Sequence, residues 1–203
     1  YGIQAEYVRD GLIWDTWLSN IHMFLREGKV REFHMMMTIN ALSLFSITEF
    51  MDEMVKLKTE YGKHFPTMSF NILRFPSFQS IVTLPNHIRN ERADALEKWI
   101  EDNKDNPLVH DMEIDGITRL IKYTRVMETG HANTSSEATR HRDFKTFYAQ
   151  YDVRRNKLFA KTFESHKPLI EWFESIPITE IKPVGLFDGD ATKGALHKNE
   201  LEK

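Results

Sequence analysis

Short polar side chains follow a strongly apolar segment near the start of the chain. In REFHMMMTIN (31–40), Thr38 and Asn40 come at the end of the apolar run, shortly before a predicted helix. At the carboxyl edge of a parallel sheet, such hydroxyl and amide groups can hydrogen-bond a ligand. A capped turn is the alternative interpretation of the same residues. The segment is therefore a candidate binding edge as well as a possible turn.

A second polar set lies among aromatic residues in NILRFPSFQS (71–80). Asn71, Arg74 and Gln79 can form hydrogen bonds, while the neighbouring phenylalanines can pack against a planar ring. A bulge filled by core aromatic residues is the alternative interpretation.

Two charged features are the remaining candidates for ligand binding. Arg9 precedes a predicted helix, and a guanidinium binds a carboxylate through two parallel hydrogen bonds. An ordinary surface salt bridge is its alternative. The basic and aromatic segment 140–159 has the composition of a polyanion-binding face, but its aromatic residues recur at helical spacing. This spacing favours a helix with one packed and one solvated side.

Several kinds of chemistry are excluded by residue type. The 203 residues include no cysteine, which rules out cysteine nucleophiles, thiolate zinc sites and cysteine-ligated iron–sulfur clusters held by this chain. The nine histidines form neither H-x-H nor H-E-x-x-H, so no metal site is predicted. The net charge of −3 gives no electrostatic reason to expect nucleic-acid binding. No apolar run approaches the ~20 residues that span a bilayer, so no membrane is predicted.

Apolar spacing predicts the elements that position these candidates. The chain has 41% hydrophobic and 28% charged residues, a composition that predicts one main globular core. Helices are predicted at 13–27, 47–60 and 85–102, and strands at 31–38, 67–74 and 80–84. Ser46 and Glu49 have the spacing of a capping box. Residues 1–14 have the pattern of a strand end or loop, and further helices are predicted around 114–127, 144–151 and 168–176. This alternation predicts a parallel sheet in which segments 31–38 and 67–74 are neighbours.

Four stretches, in order, resemble the carboxyl half of a radical S-adenosylmethionine (radical SAM) enzyme of the SPASM or twitch type. They are EYVRDGLIWDTWLSNI, FHMMMTINALSLFSITEFMDEM, NILRFPSFQSIVTLP and DFKTFYAQYDVRRNKLFAKTF, and they span about three quarters of the chain. The resemblance implies an α/β fold, a partial parallel β/α barrel that is the carboxyl half of a radical SAM core. The barrel half would occupy residues 1–104, with a helical extension at 105–178 and a flexible tail at 179–203.

The resemblance also implies a ligand site at the carboxyl ends of the strands. S-adenosylmethionine would lie there, with Thr38 and Asn40 near its ribose or methionine part. Arg9 would lie near its carboxylate. Leu73, Arg74 and Phe75 would lie beside the adenine.

One departure from the family decides what the chain can do alone. The three-cysteine loop that holds the family's 4Fe–4S cluster is missing. We therefore expect a fragment, inactive alone, whose missing amino-terminal half or another chain supplies the cluster; the first residue, Tyr1, agrees with this. Its substrate would be a peptide, a protein or another molecule, and its location cytoplasmic, because the cluster is oxygen-labile. The alternative is a degenerate relative, a non-catalytic α/β interaction module. An open sheet edge would favour association with another chain.

Overall fold

Helices make up most of the structure. A computed structural model describes residues 1–29, 31–125 and 136–177. Of these residues 67% are helical, and their sheet has two strands. The predicted partial parallel β/α barrel is therefore wrong, because two strands cannot form the wall of a barrel half.

The two strands are parallel neighbours, as predicted for this pair. Strand β1 (His34–Ile39) pairs with strand β2 (Thr67–Ile72), in a register that runs from His34 opposite Thr67 to Ile39 opposite Ile72. Helix α3 (Ile47–Tyr61) provides the crossover between them. Alternate residues of β2, Met68 and Phe70, are buried, so one face of the sheet packs against the core.

The remaining helices surround this β-α-β unit. They are α1 (Gly2–Val8), α2 (Trp14–Glu27), α4 (Asn86–Asn103), α5 (Asp111–Arg125), α6 (Glu137–Arg155), α7 (Phe159–Thr162) and α8 (Lys167–Ser175). The helices predicted from apolar spacing are all present near their expected positions. Helix α1 was not expected, because its seven residues were interpreted as a strand end or loop. Met127 and the predicted tail lie outside the described residues.

The predicted third strand, 80–84, is also wrong. Within it, Ile81–Thr83 form a 3₁₀ turn, which follows another 3₁₀ turn at Ser77–Gln79. The Thr83 hydroxyl donates to the Ser77 carbonyl at 2.8 Å, and the Ser80 amide donates to the same carbonyl at 3.1 Å. These local bonds fold the segment back on itself, so it does not pair with β2.

The capping box at the start of α3 does not form, although the helix does. The Ser46 side chain caps no backbone amide of α3, and its Oγ instead accepts from the Tyr1 amino group at 2.7 Å. Glu49 accepts from the neighbouring Thr48 hydroxyl. Helix α3 is held by its buried face, which includes Met51 and Met54, both fully buried in the core.

Candidate functional site

The carboxyl ends of the two strands meet at one edge of the sheet. Thr38 is opposite Asn71 in the register, and the Leu73 amide donates to the Ile39 carbonyl at 2.9 Å. The structure therefore brings together the two candidate segments, here called the strand-end rim (residues 38–40 and 71–75). Their proximity follows from parallel pairing, in which the carboxyl ends of both strands lie at the same edge of the sheet.

The side chains of the rim point in different directions. Thr38 and Asn71 are exposed and lie on the same face of the sheet. Asn40 is only 8% exposed, and its Oδ1 accepts from the Ser43 amide at 2.8 Å and the Ser43 hydroxyl at 2.9 Å. The capped-turn interpretation is therefore correct for the Asn40 oxygen, while Thr38 remains open to a ligand.

The other half of the rim divides in the same way. The Arg74 guanidinium lies over the Tyr123 ring, 5.7 Å from its centroid, in a cation–π contact. Phe75 is 85% exposed, and Leu73 is half-buried. Phe75 is therefore available to pack against a flat molecule, whereas Arg74 already has an aromatic partner.

One face of the sheet is mostly polar, and its carboxyl end is exposed among the described residues. It presents His34, Met36 and Thr38 from β1, and Thr67, Ser69 and Asn71 from β2. The His34 ring connects the amino end of this face, with Nδ1 at 2.7 Å from Thr67 Oγ1 and Nε2 at 2.9 Å from Ser69 Oγ. Thr38 and Asn71, at the carboxyl end, have no such side-chain partner among the described residues. This end of the face has free hydrogen-bonding groups for a polar ligand.

A cavity of about 640 Å³ runs along the outer edge of β1. We call it the edge groove; α1, the turn at residues 9–12, α2 and α3 form its walls. Its larger apolar lining residues are Trp14, Trp17, Met35, Met37 and Phe50. Arg9 and Thr38, two residues that the resemblance assigns to one ligand, both line it.

The edge groove offers an available basic side chain to a ligand. Among the described residues that line it, the charged side chains are Arg9 and Asp10, and none is a histidine. Arg9 is exposed and forms no ion pair with a described carboxylate, whereas Asp10 pairs with Arg155 at 2.8 Å. The guanidinium of Arg9 is therefore available to an anionic group, and the surface salt bridge expected as its alternative does not form with any described residue. The described residues also contain no cluster of three or more acidic or histidine side chains suited to a metal ion.

Sequence reasoning missed the open face and the groove walls. A signal for the open face was present in β2, where the polar residues Thr67, Ser69 and Asn71 occupy alternate positions. It was overlooked because HMMM was interpreted as a strand buried on both sides. The groove depends on α1, which the sequence did not predict.

The comparisons with known proteins add no relative. No protein-family model, curated protein or solved structure matches this chain. Within the described ranges, none of the helices combines the length and apolar character needed to cross a membrane.

Proposed function

We propose that this chain supplies part of the S-adenosylmethionine- and substrate-binding surface of a radical SAM enzyme, and that another polypeptide segment supplies the cluster. The supporting observation is the strand-end rim, where two parallel strands end side by side and leave Thr38 and Asn71 exposed on a polar face. The predicted barrel is not part of this proposal.

The side chains at the rim fit different parts of this ligand. The Thr38 hydroxyl and the Asn71 carboxamide match the donors and acceptors of a ribose. The Arg9 guanidinium matches the ligand's carboxylate. Leu73 and the exposed Phe75 offer apolar surface to the adenine. Asn40 uses its side-chain oxygen on Ser43, so its side-chain nitrogen is the group left for a ligand.

The chain does not fit the iron–sulfur cluster. It has no cysteine, and the described residues contain no alternative group of metal ligands. The proposal therefore assigns to this chain the binding and orientation of the ligand, and no step of the radical chemistry. A cytoplasmic location belongs to the proposal, because the family's cluster is oxygen-labile.

Nuclear magnetic resonance tests this assignment without the cluster. We expect millimolar S-adenosylmethionine to shift amide resonances of the ¹⁵N-labelled chain at residues 38–40 and 71–75. Adenosine and methionine, added separately, should each shift part of this set. No shift in either segment, or shifts confined to other regions, would overturn the proposal.

A pair of matched threonine variants sharpens the test. Thr38→Val should reduce the ligand-induced shifts at the rim. Thr67→Val changes the same residue type on the same face but at the amino end of the sheet, so the shifts at the rim should be retained. Equal effects of the two substitutions would contradict a site at the carboxyl end.

A further inference from the structure

The outer edge of β2 is closed by side chains of α5. The Met68 amide donates to Glu113 Oε1 at 2.7 Å, and Arg119 Nη2 donates to the Phe70 carbonyl at 3.0 Å. Two backbone groups that a further strand would need are therefore already bonded within the chain.

The outer edge of β1 has no such partners among the described residues. The Thr67 amide donates to the Phe33 carbonyl and the Leu73 amide to the Ile39 carbonyl, each at 2.9 Å. In a parallel pair, the N–H and C=O of one residue point to the same neighbouring strand. The N–H and C=O groups of the odd-numbered residues of β1 therefore point to β2. The backbone groups of His34, Met36 and Thr38 therefore face away, and no described group bonds to them.

Nothing in β1 protects this edge. The strand HMMMTI contains no proline, lysine or glutamate, and its register with β2 is continuous without a bulge. Exposed edges of soluble proteins usually carry one of these protections. The unprotected edge is ~20 Å long at the normal rise of a six-residue strand. From residue 35 to residue 39 it borders the edge groove.

We propose that the outer edge of β1 binds an extended polypeptide strand whose side chains enter the edge groove. The backbone of β1 offers an N–H and a C=O at every second residue, a repeat of ~6.6 Å that another extended backbone matches. Apolar side chains on the core side of that strand would contact Met37 and Phe50.

The walls of the groove favour a single strand over a second copy of this protein. In a second copy the edge of β1 would lie between its own α1, α2 and α3. Pairing two copies edge to edge would therefore bring two sets of these helices together. A lone strand has no such walls.

The inference goes beyond the proposed function and does not rest on it. Both involve the edge groove, because Arg9, the residue proposed for the ligand's carboxylate, also lines it, so the peptide is tested without S-adenosylmethionine. The backbone of Thr38 faces the edge groove, whereas its side chain lies on the open face of the sheet. The added strand would contact the backbone from the side, while a ligand at the rim would contact the hydroxyl.

Hydrogen exchange provides a test with a built-in control. The probe is a blocked hexapeptide of alternating valine and threonine, added to the full chain while amide exchange is followed by NMR. At a peptide concentration ten times its Kd, exchange of the amides of His34, Met36 and Thr38 should slow about tenfold by mass action. The amides of Met35 and Met37 already bond to β2 and should change little.

N-methylated peptides test the role of the backbone. Two peptides are compared, one methylated at its odd-numbered amides and the other at its even-numbered amides. Only one of the two sets of peptide amides can face β1. The peptide methylated at that set should no longer protect the amides of His34, Met36 and Thr38, and the other peptide should still protect them. The proposal is overturned if both methylated peptides, or neither of them, protect these amides. It is also overturned if the even-numbered amides of β1 become protected at high protein concentration without peptide.

Met36→Pro tests the edge from the side of the protein. Proline removes the outward N–H of Met36 without removing a bond to β2, so the variant should fold and lose the protection at His34 and Thr38. Undiminished protection in a folded variant would overturn the proposal. If the variant does not fold, the methylated peptides still decide.

Discussion

The two strands of the sheet have opposite surroundings on their outer sides. Beyond β2, the chain places a helix whose acidic and basic side chains bond to the strand's backbone. Beyond β1, the described residues leave a groove and a row of unbonded backbone groups. The strand proposed above would bond to β1 as the side chains of α5 bond to β2.

The closed side depends on one fully buried ion pair. Lys58 and Glu113 both have side chains that are 0% exposed, with Lys58 Nζ 2.6 Å from Glu113 Oε2. Lys58 also donates to the Leu108 carbonyl, and Glu113 also accepts from the amides of Met68 and His110. Burial lowers the pKa of Lys58, while the hydrogen bond and charge of Glu113 oppose this shift. The pair connects α3, α5 and β2 and leaves none of its own polar atoms without a partner.

The largest effect is expected on breaking this pair. Glu113→Ala leaves the buried Lys58 amino group without its carboxylate partner and leaves the Met68 amide unbonded. We expect a loss of about 3–5 kcal/mol in the free energy of unfolding, as for other buried pairs that lose one member. Urea denaturation followed by circular dichroism measures it.

The double variant Lys58→Met with Glu113→Leu is the matched control. It removes both charges and fills the space with apolar groups, so it should be distinctly more stable than Glu113→Ala. If the double variant loses more stability than the single one, the charges themselves stabilise the closed side.

The second prediction compares neighbouring residues of β1. Met37→Pro removes an N–H that faces β2 and leaves a ladder carbonyl unbonded, which should destabilise the protein by about 2–3 kcal/mol. Met36→Pro removes an N–H that faces the groove and should cost at most about 1 kcal/mol. Thermal denaturation of both variants measures the difference. Equal losses would show that the edge of β1 is not free.

The difference between the edges was only partly predictable from sequence. The β-α-β unit was predictable, because apolar runs broken by Gly62 and Pro66 separate its elements. The failure of the third strand was not predictable, because SIVTL has the β-branched residues of a strand, while its Thr83 hydroxyl bonds locally to the Ser77 carbonyl. Arg9 and Thr38 were each selected, but their meeting in one groove depends on how α1 packs. The bond from Glu113 to the edge of β2 joins residues far apart in the chain and has no local signal.

The third prediction concerns the donor that closes part of the β2 edge. Arg119→Ala removes the hydrogen bond to the Phe70 carbonyl and should lower stability by about 0.5–1.5 kcal/mol, the usual contribution of one hydrogen bond. Lys122→Ala on the same helix is the control, since this exposed lysine has no described partner. Chemical denaturation should separate the two variants. Indistinguishable midpoints would mean that Arg119 does not contribute to closing β2.

The smallest effect on stability is expected from Met36→Lys, and it isolates the function of the open edge. The Met36 side chain is 69% exposed, so replacing it removes little buried area and should change the free energy of unfolding by no more than about 0.5 kcal/mol. Lysine on an edge strand is nevertheless a common means of preventing strand addition, because a second chain must bury or displace the charge. The variant should therefore keep the thermal midpoint of the parent protein and lose the peptide-induced protection of the His34 and Thr38 amides. Ser19→Lys on the exposed side of α2 is the control for the added charge, and it should alter neither quantity. A variant at position 36 that keeps both its stability and its protection would show that the peptide does not approach along this edge.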